Sequence, residues 1–176
     1  MSRRIASSEA ATVSDAERDI RNRLLGHELD FTAMSAVSNI YRTGSAVRNH
    51  MERSVLNEYD LSWVAFTVLW VLWIWGEQET GHVAAEAGVT KGTLTGVIKT
   101  LRTRKLLRRT PHVDDRRRVS IGLTKAGERL IEEVFPEFNR HETIAVSALT
   151  PAEQRELARL LRLVLSGIAN VDPDVS

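Results

Sequence analysis

Residues 61–75 read LSWVAFTVLWVLWIW, in which only Ser62 and Thr67 are polar. A helix needs about 20 apolar residues to cross a bilayer, so this stretch is too short to span a membrane. A chain that carries it must cover it with its own elements. The stretch therefore predicts a helix buried on most sides between two lobes.

The remaining sequence can supply that cover. Of 176 residues, 43% are hydrophobic and 27% charged, enough for one globular unit or two small lobes and unlike a disordered chain. Cysteine is absent, which removes disulfides, thiolate metal sites and thiol redox sensing, and five scattered histidines suggest no metal centre. The start, MSRRIASSEAATVSDAERD, has basic residues but no apolar core of a signal peptide, so a cytoplasmic protein with no membrane partner is expected.

A net charge of +1 hides strong segregation. Residues 1–58 balance eight basic against eight acidic side chains, and residues 59–87 hold four acids and no Lys or Arg. Residues 88–118 then carry ten cations (Lys91, Lys99, Arg102, Arg104, Lys105, Arg108, Arg109, Arg116, Arg117, Arg118) against Asp114 and Asp115. Such a block is either a solvated face or a nucleic-acid footprint. Its internal spacing has to decide.

Ser14-Asp-Ala-Glu17 has the form of a capping box and predicts a short helix ending near Gly26. A second helix is expected from about Thr32, with Ala33, Val37, Ile40, Gly44, Val47 and Met51 forming a seam for another helix. After 61–75, a short amphipathic helix through His82–Ala87 stops at Gly88, and Thr90 opens another with Leu94, Val97, Ile98 and Leu101 on one side. Residues 106–113 and 118–123 predict two strands, with Val119, Ile121 and Leu123 on one face. Thr124 should cap a long helix containing Leu130, Ile131, Val134 and Phe135, which Pro136 should kink or restart. Thr150-Pro-Ala-Glu153 opens a last helix with an apolar stripe of Leu157, Leu160, Leu161, Val164, Leu165 and Ile168. The sum is a mainly α chain with a small β-wing: a winged helix-turn-helix lobe flanked by helices at both chain ends.

In the turn, small Ala84 permits close helix approach, Gly88 takes a backbone conformation that a Cβ penalises, and Val89 plugs the angle. The following helix exposes Thr90, Lys91, Gly92, Thr93, Thr95, Gly96, Lys99 and Thr100. Each glycine inside a helix costs about 1 kcal/mol relative to alanine. Hydroxyls, ammonium groups and bare backbone suit a DNA major groove; a solvated face of poor helix propensity is the alternative. An arginine at the tip of a wing can enter a narrow minor groove, and a neighbouring aspartate can aim it by an ion pair.

Asp115-Arg-Arg117-x-x-x-x-x-Leu123-Thr124 matches the D-x-R-x-x-x-x-x-L-T signature of the MarR family of transcription regulators. Leu61-Ser-Trp-Val-Ala-Phe-Thr-Val-Leu resembles the family segment before the DNA-binding unit, Val89-Thr-Lys-Gly-Thr-Leu-Thr-Gly its recognition helix, and Leu149-Thr-Pro-Ala-Glu153 the start of its last helix. The resemblance covers about residues 32–169 and implies a homodimer whose winged-helix lobes occupy successive major grooves of a pseudo-palindromic operator. It divides the chain into a flexible start (1–13), N-terminal dimerisation helices (14–59), a DNA-binding lobe (60–124), C-terminal dimerisation helices (125–170) and a tail (171–176).

By the same resemblance, Asp115 and Arg117 organise the wing and Arg116 or Arg117 reaches the minor groove. The apolar seams at 33–51 and 157–168 agree with a shared dimer interface, intramolecular packing being the alternative. Many MarR-like proteins also bind small aromatic acids or phenols between the dimer helices and the DNA-binding lobe. Trp63, Phe66, Trp70 and Trp73 would line such a pocket, with Arg42, Arg48 and His50 as carboxylate partners; plain core is the other reading of these aromatics. The N-terminal extension is similar to that of a subgroup including urate-responsive regulators, which carry a tryptophan there that this segment lacks. No enzyme constellation, cofactor motif or metal spacing emerges, and a winged helix used only for protein contacts is the competing class.

Overall fold

The structure, a computed structural model, describes residues 15–111 and 119–171. The chain divides into two units, Met1–Val47 and Arg48–Ser176. In the first, helix α1 covers 15–23 and its trailing turn contains Gly26 at φ +103°. The expected cap, Ser14, lies outside the described residues. Helix α2, Phe31–Ser54, starts where the Ala33 N–H donates to Asp30 Oδ1 at 2.9 Å. Asp30 had no place in the expected cap pattern; it does the work of an N-cap all the same. Along the predicted seam of α2 only Met51 is buried.

In the second unit a 3-10 turn, Leu56–Tyr59, leads to helix α3, Trp63–Trp75, capped by Ser62, whose Oγ accepts from the Ala65 N–H at 3.2 Å. Ala65, Phe66, Val68, Leu69, Val71 and Leu72 of α3 are buried. Fully burying one large apolar side chain contributes about 1.5–3 kcal/mol, which makes α3 the centre of this unit. Its cover comes from the helix-turn-helix, the sheet and the following long helix, all of which touch it.

Helices α4, Thr80–Glu86, and α5, Lys91–Thr103, form the helix-turn-helix. Helix α4 closes on Gly88 at φ +60°, with the Val89 N–H donating to Ala84 O and the Gly88 N–H to Ala85 O, both at 3.0 Å. Helix α5 closes the same way, the Leu106 N–H donating to Leu101 O and the Lys105 N–H to Arg102 O, both at 2.9 Å. Its left-handed position is held by Lys105, at φ +60°, where glycine would be less strained.

Two strands of the sheet were expected and three are present. Strand β2, Leu107–Pro111, pairs antiparallel with β3, Val119–Leu123, Leu107 facing Leu123 and Pro111 facing Val119. Strand β1, Gln78–Glu79, adds to the other side of β3 through Gln78 opposite Ile121. Two polar residues carry no alternation, so β1 is defined by its partner rather than by its own pattern.

Helix α6, Lys125–Ala145, begins at Thr124, whose Oγ accepts from the Gly127 N–H at 3.1 Å and donates to Lys105 O at 2.7 Å. A Cβ on Gly127 would stand 2.2 Å from the Leu106 carbonyl oxygen, so only glycine lets this first turn seat against the sheet. Contrary to expectation, Pro136 neither ends nor restarts α6. The proline is exposed, and the carbonyl it deprives of a donor lies on the solvent side, where water can satisfy it. Phe138, one turn on, is buried and stacks on Phe66 at 4.0 Å between ring centroids.

Helix α7, Pro151–Val171, opens with the expected reciprocal cap: the Thr150 N–H donates to Glu153 Oε2 at 2.7 Å and the Glu153 N–H to Thr150 Oγ1 at 3.4 Å. These bonds from Thr150 hold the Glu153 carboxyl below its ordinary pKa. No residue of α7 is buried, and its predicted stripe from Leu157 to Ile168 is exposed throughout. Among the described residues, no helix is long and apolar enough to cross a membrane.

Candidate nucleic-acid interface

Helix α5 presents two faces. Leu94 and Leu101 are buried and Val97 and Ile98 half-buried, while Thr90, Lys91, Gly92, Thr93, Thr95, Gly96, Lys99 and Thr100 are all exposed. Thr90 starts the helix by accepting from the Thr93 N–H at 3.2 Å. Thr95 donates its hydroxyl proton to Lys91 O at 2.8 Å and Thr100 to Gly96 O at 3.2 Å, which leaves methyl groups and oxygen lone pairs to the surface. A groove partner would meet acceptors and methyls from these threonines in the free chain, and donors from Lys91 and Lys99.

The glycines of this face are not required by the chain itself. A Cβ on Gly96 would meet nothing within 4 Å, and one on Gly92 only Thr90 Oγ1 at 3.8 Å. Gly127, by contrast, is forced by a backbone oxygen. Packing explains one glycine and leaves the other two to whatever approaches α5 from outside.

The basic block resolves into side chains with different duties. Arg104 donates to Asp60 O at 2.7 Å and to Tyr59 O at 2.9 Å, tying the end of α5 to the 3-10 turn. Arg108 donates to Leu123 O at 2.7 Å and pairs with Glu77 at 2.9 Å, bracing the sheet; Gly122 leaves it room, since a Cβ there would lie 3.1 Å from Arg108 Nη2. Lys91, Lys99, Arg102 and Arg109 instead line one open cleft of about 550 Å³ between α5 and the sheet, floored by Leu94, Ile98, Val119 and Ile121. Lys105 joins Lys99, Arg102 and Arg109 along the adjoining groove. Arg102, Lys105 and Arg109 were counted in the block but not singled out from the sequence. The three-residue step from Lys99 to Arg102 was a readable signal, whereas Arg109 reaches the cleft only because β2 folds back beside α5.

Asp115, Arg116 and Arg117 lie outside the described residues. The second half of their motif lies within them: Leu123 is buried and Thr124 performs the cap that joins sheet to α6.

The expected ligand-pocket residues separate. Phe66 is buried against Phe138, with Trp63 tilted on the same ring at 6.0 Å. The Arg48 guanidinium lies over Trp63 at 6.0 Å. Trp70 meets the edge of Trp75 at 5.3 Å and Trp73 tilts on Phe135 at 5.4 Å. His50 Nε2 and His141 Nδ1 are hydrogen-bonded at 2.9 Å. Arg42 belongs to the first unit, where it lines a cavity between α1 and α2.

Residues 61–119 match the model of the MarR family. The chain is 39% identical over 140 residues, 80% of its length and 82% of the relative's, to the uncharacterised HTH-type transcriptional regulator YwaE of Bacillus subtilis. It is similar in structure to Bordetella bronchiseptica BpsR, whose DNA binding is regulated by 6-hydroxynicotinic acid, with a TM-score of 0.69 and 27% identity over 73% of this chain and 97% of that one. Staphylococcus aureus MepR in complex with DNA gives a TM-score of 0.66 with 25% identity, covering 74% of this chain and 96% of the other. A winged helix-turn-helix with an exposed, cation-lined second helix and flanking terminal helices is what these relatives share with it, and the chain belongs to the MarR family of DNA-binding transcriptional regulators, which are not enzymes.

Proposed function

We propose that the chain works as a homodimer that binds a pseudo-palindromic operator and represses transcription by occupying it. The observation that carries this reading is the exposed face of α5, where two glycines that the fold does not need stand among Thr90, Lys91, Thr93, Thr95 and Lys99. Bare backbone there lets the helix enter a major groove, Lys91 and Lys99 take phosphates or base edges, and Arg102 and Arg109 extend the positive surface toward the wing. Asp115 aims the wing, and Arg116 or Arg117 enters the adjacent minor groove.

The exposed stripe of α7 supports the dimer, because a second copy would remove six aliphatic side chains from water. Residues 14–59 and 125–170 are then dimerisation segments and 60–124 the reading head. A small aromatic or phenolic effector is the proposed signal, as 6-hydroxynicotinic acid is for BpsR. Trp63, Trp70 and Trp73 with Arg48 and His50 are its proposed contacts; Phe66, sealed against Phe138, acts as their support.

Titrating a DNA fragment selected from genomic DNA, at several salt concentrations, tests the reading. Log affinity should fall with log salt with a slope of about −0.9 per neutralised phosphate, and Lys99→Ala should make the slope shallower by about that amount per chain. Absent or salt-independent binding would favour a protein-contact module instead.

A further inference from the structure

The first unit holds a cavity of about 310 Å³ between α1 and α2, within the range of small-molecule sites. Phe31 and Met34 give it an apolar wall, and Ser35 and Ser38 add hydroxyls one turn apart on the same face of α2. Three guanidiniums line it, and they are not equally committed. Arg18 is paired with Asp15, Arg21 lies over the Phe31 ring at 5.6 Å, and Arg42 has no carboxylate within ion-pair distance among the described residues. The one carboxylate of the lining, Glu17, already accepts from Asn39 Nδ2 at 2.8 Å. Two uncommitted forks of positive charge, two hydroxyls and an aromatic wall thus converge on one concavity.

We infer that this cavity binds a small organic carboxylate with an apolar body of aromatic size. Arg42 and Arg21 meet the carboxylate, for which a planar guanidinium is the matching donor, Ser35 and Ser38 satisfy its remaining lone pairs, and Phe31 and Met34 cover the body. A bare inorganic anion would leave the apolar wall unused, and a neutral aromatic would leave the arginines unanswered. The site lies entirely within residues 17–42, apart from Trp63, Trp70 and Trp73, and it does not rest on the DNA-binding reading.

Calorimetric titration of the full chain without DNA, using 2-naphthoate as the probe, decides the matter. Binding of one probe per chain is expected, weakened about tenfold by Arg42→Met and by Arg21→Met, the loss of one charge-assisted contact in each case. The isosteric neutral 2-naphthamide should bind at least about tenfold more weakly, inorganic phosphate should not compete, and Trp63→Phe should bind 2-naphthoate like the parent. Thermal melts of Arg42→Met and of the conservative Arg42→Lys, expected to match the parent, separate lost contact from lost fold. No binding by the parent, undiminished binding by a folded Arg42→Met, equal binding of the amide, competition by phosphate, or loss in Trp63→Phe would each overturn the assignment.

Discussion

Helices α3 and α7 are both rich in large aliphatic side chains, yet α3 buries six residues and α7 buries none. The sequence pattern already separates them. Apolar residues run all round α3, so it can be satisfied only by neighbours on several sides, and the helix-turn-helix, sheet and α6 provide them. Helix α7 is apolar along one stripe with charges behind it, so a single flat partner would be enough. Its partner is not among the described residues of its own chain, which is why the proposed second copy falls here rather than at the lobe.

Substitutions should separate the two regions. Phe138→Ala, in the cluster that packs α6 on α3, should cost about 3–5 kcal/mol in denaturant unfolding, at any protein concentration. Gly127→Ala should come next, at about 3 kcal/mol, because the new methyl meets the Leu106 carbonyl backbone rather than a flexible side chain. Gly96→Ala should have the opposite sign, raising stability by about 1 kcal/mol while weakening DNA binding measured by fluorescence anisotropy. A Gly96→Ala protein that is more stable and binds DNA unchanged would remove the functional explanation of that glycine.

Smaller effects belong to α7. Thr150→Ala should cost about 1 kcal/mol, read by circular dichroism, through loss of the cap. Glu153 has a lowered pKa in the folded chain, so its contribution is present above the ordinary carboxylate range and is lost as pH falls through the lowered value. Acid should therefore loosen the start of α7 in the parent, and Glu153→Gln should abolish that part of the pH dependence.

Most of the helical framework was legible because its signals are local. Ser62, Thr90, Thr124 and Thr150 each sit before an amphipathic or apolar run, and each caps as a side-chain oxygen at that spacing should. What was not legible depends on neighbours distant in sequence. Strand β1 is two polar residues that become a strand only beside Ile121 and Ser120. Pro136 reads as a breaker until its exposed position is known. In the candidate site, the exposed face of α5 followed from periodicity, but the division of the basic block did not: Arg104 and Arg108 are held by backbone carbonyls and Glu77, while Arg109 is delivered to the cleft by the turn-back of β2. The Asp115, Arg116 and Arg117 assignments lie outside the described residues and stand on the motif alone.

The link between the bare stripe of α7 and the DNA-reading face of α5 is best tested on Leu161→Glu, whose side chain is exposed on α7 and remote in sequence from α5. Sedimentation of protein with and without a selected DNA fragment gives both the number of chains and the occupancy. The parent should sediment as a dimer and bind two chains per fragment, whereas Leu161→Glu should be a folded monomer with DNA affinity reduced by about a hundredfold or more, the loss of linked binding by two heads. A folded monomeric Leu161→Glu that binds the fragment as tightly as the parent would contradict the proposal that α7 serves DNA recognition by pairing two lobes.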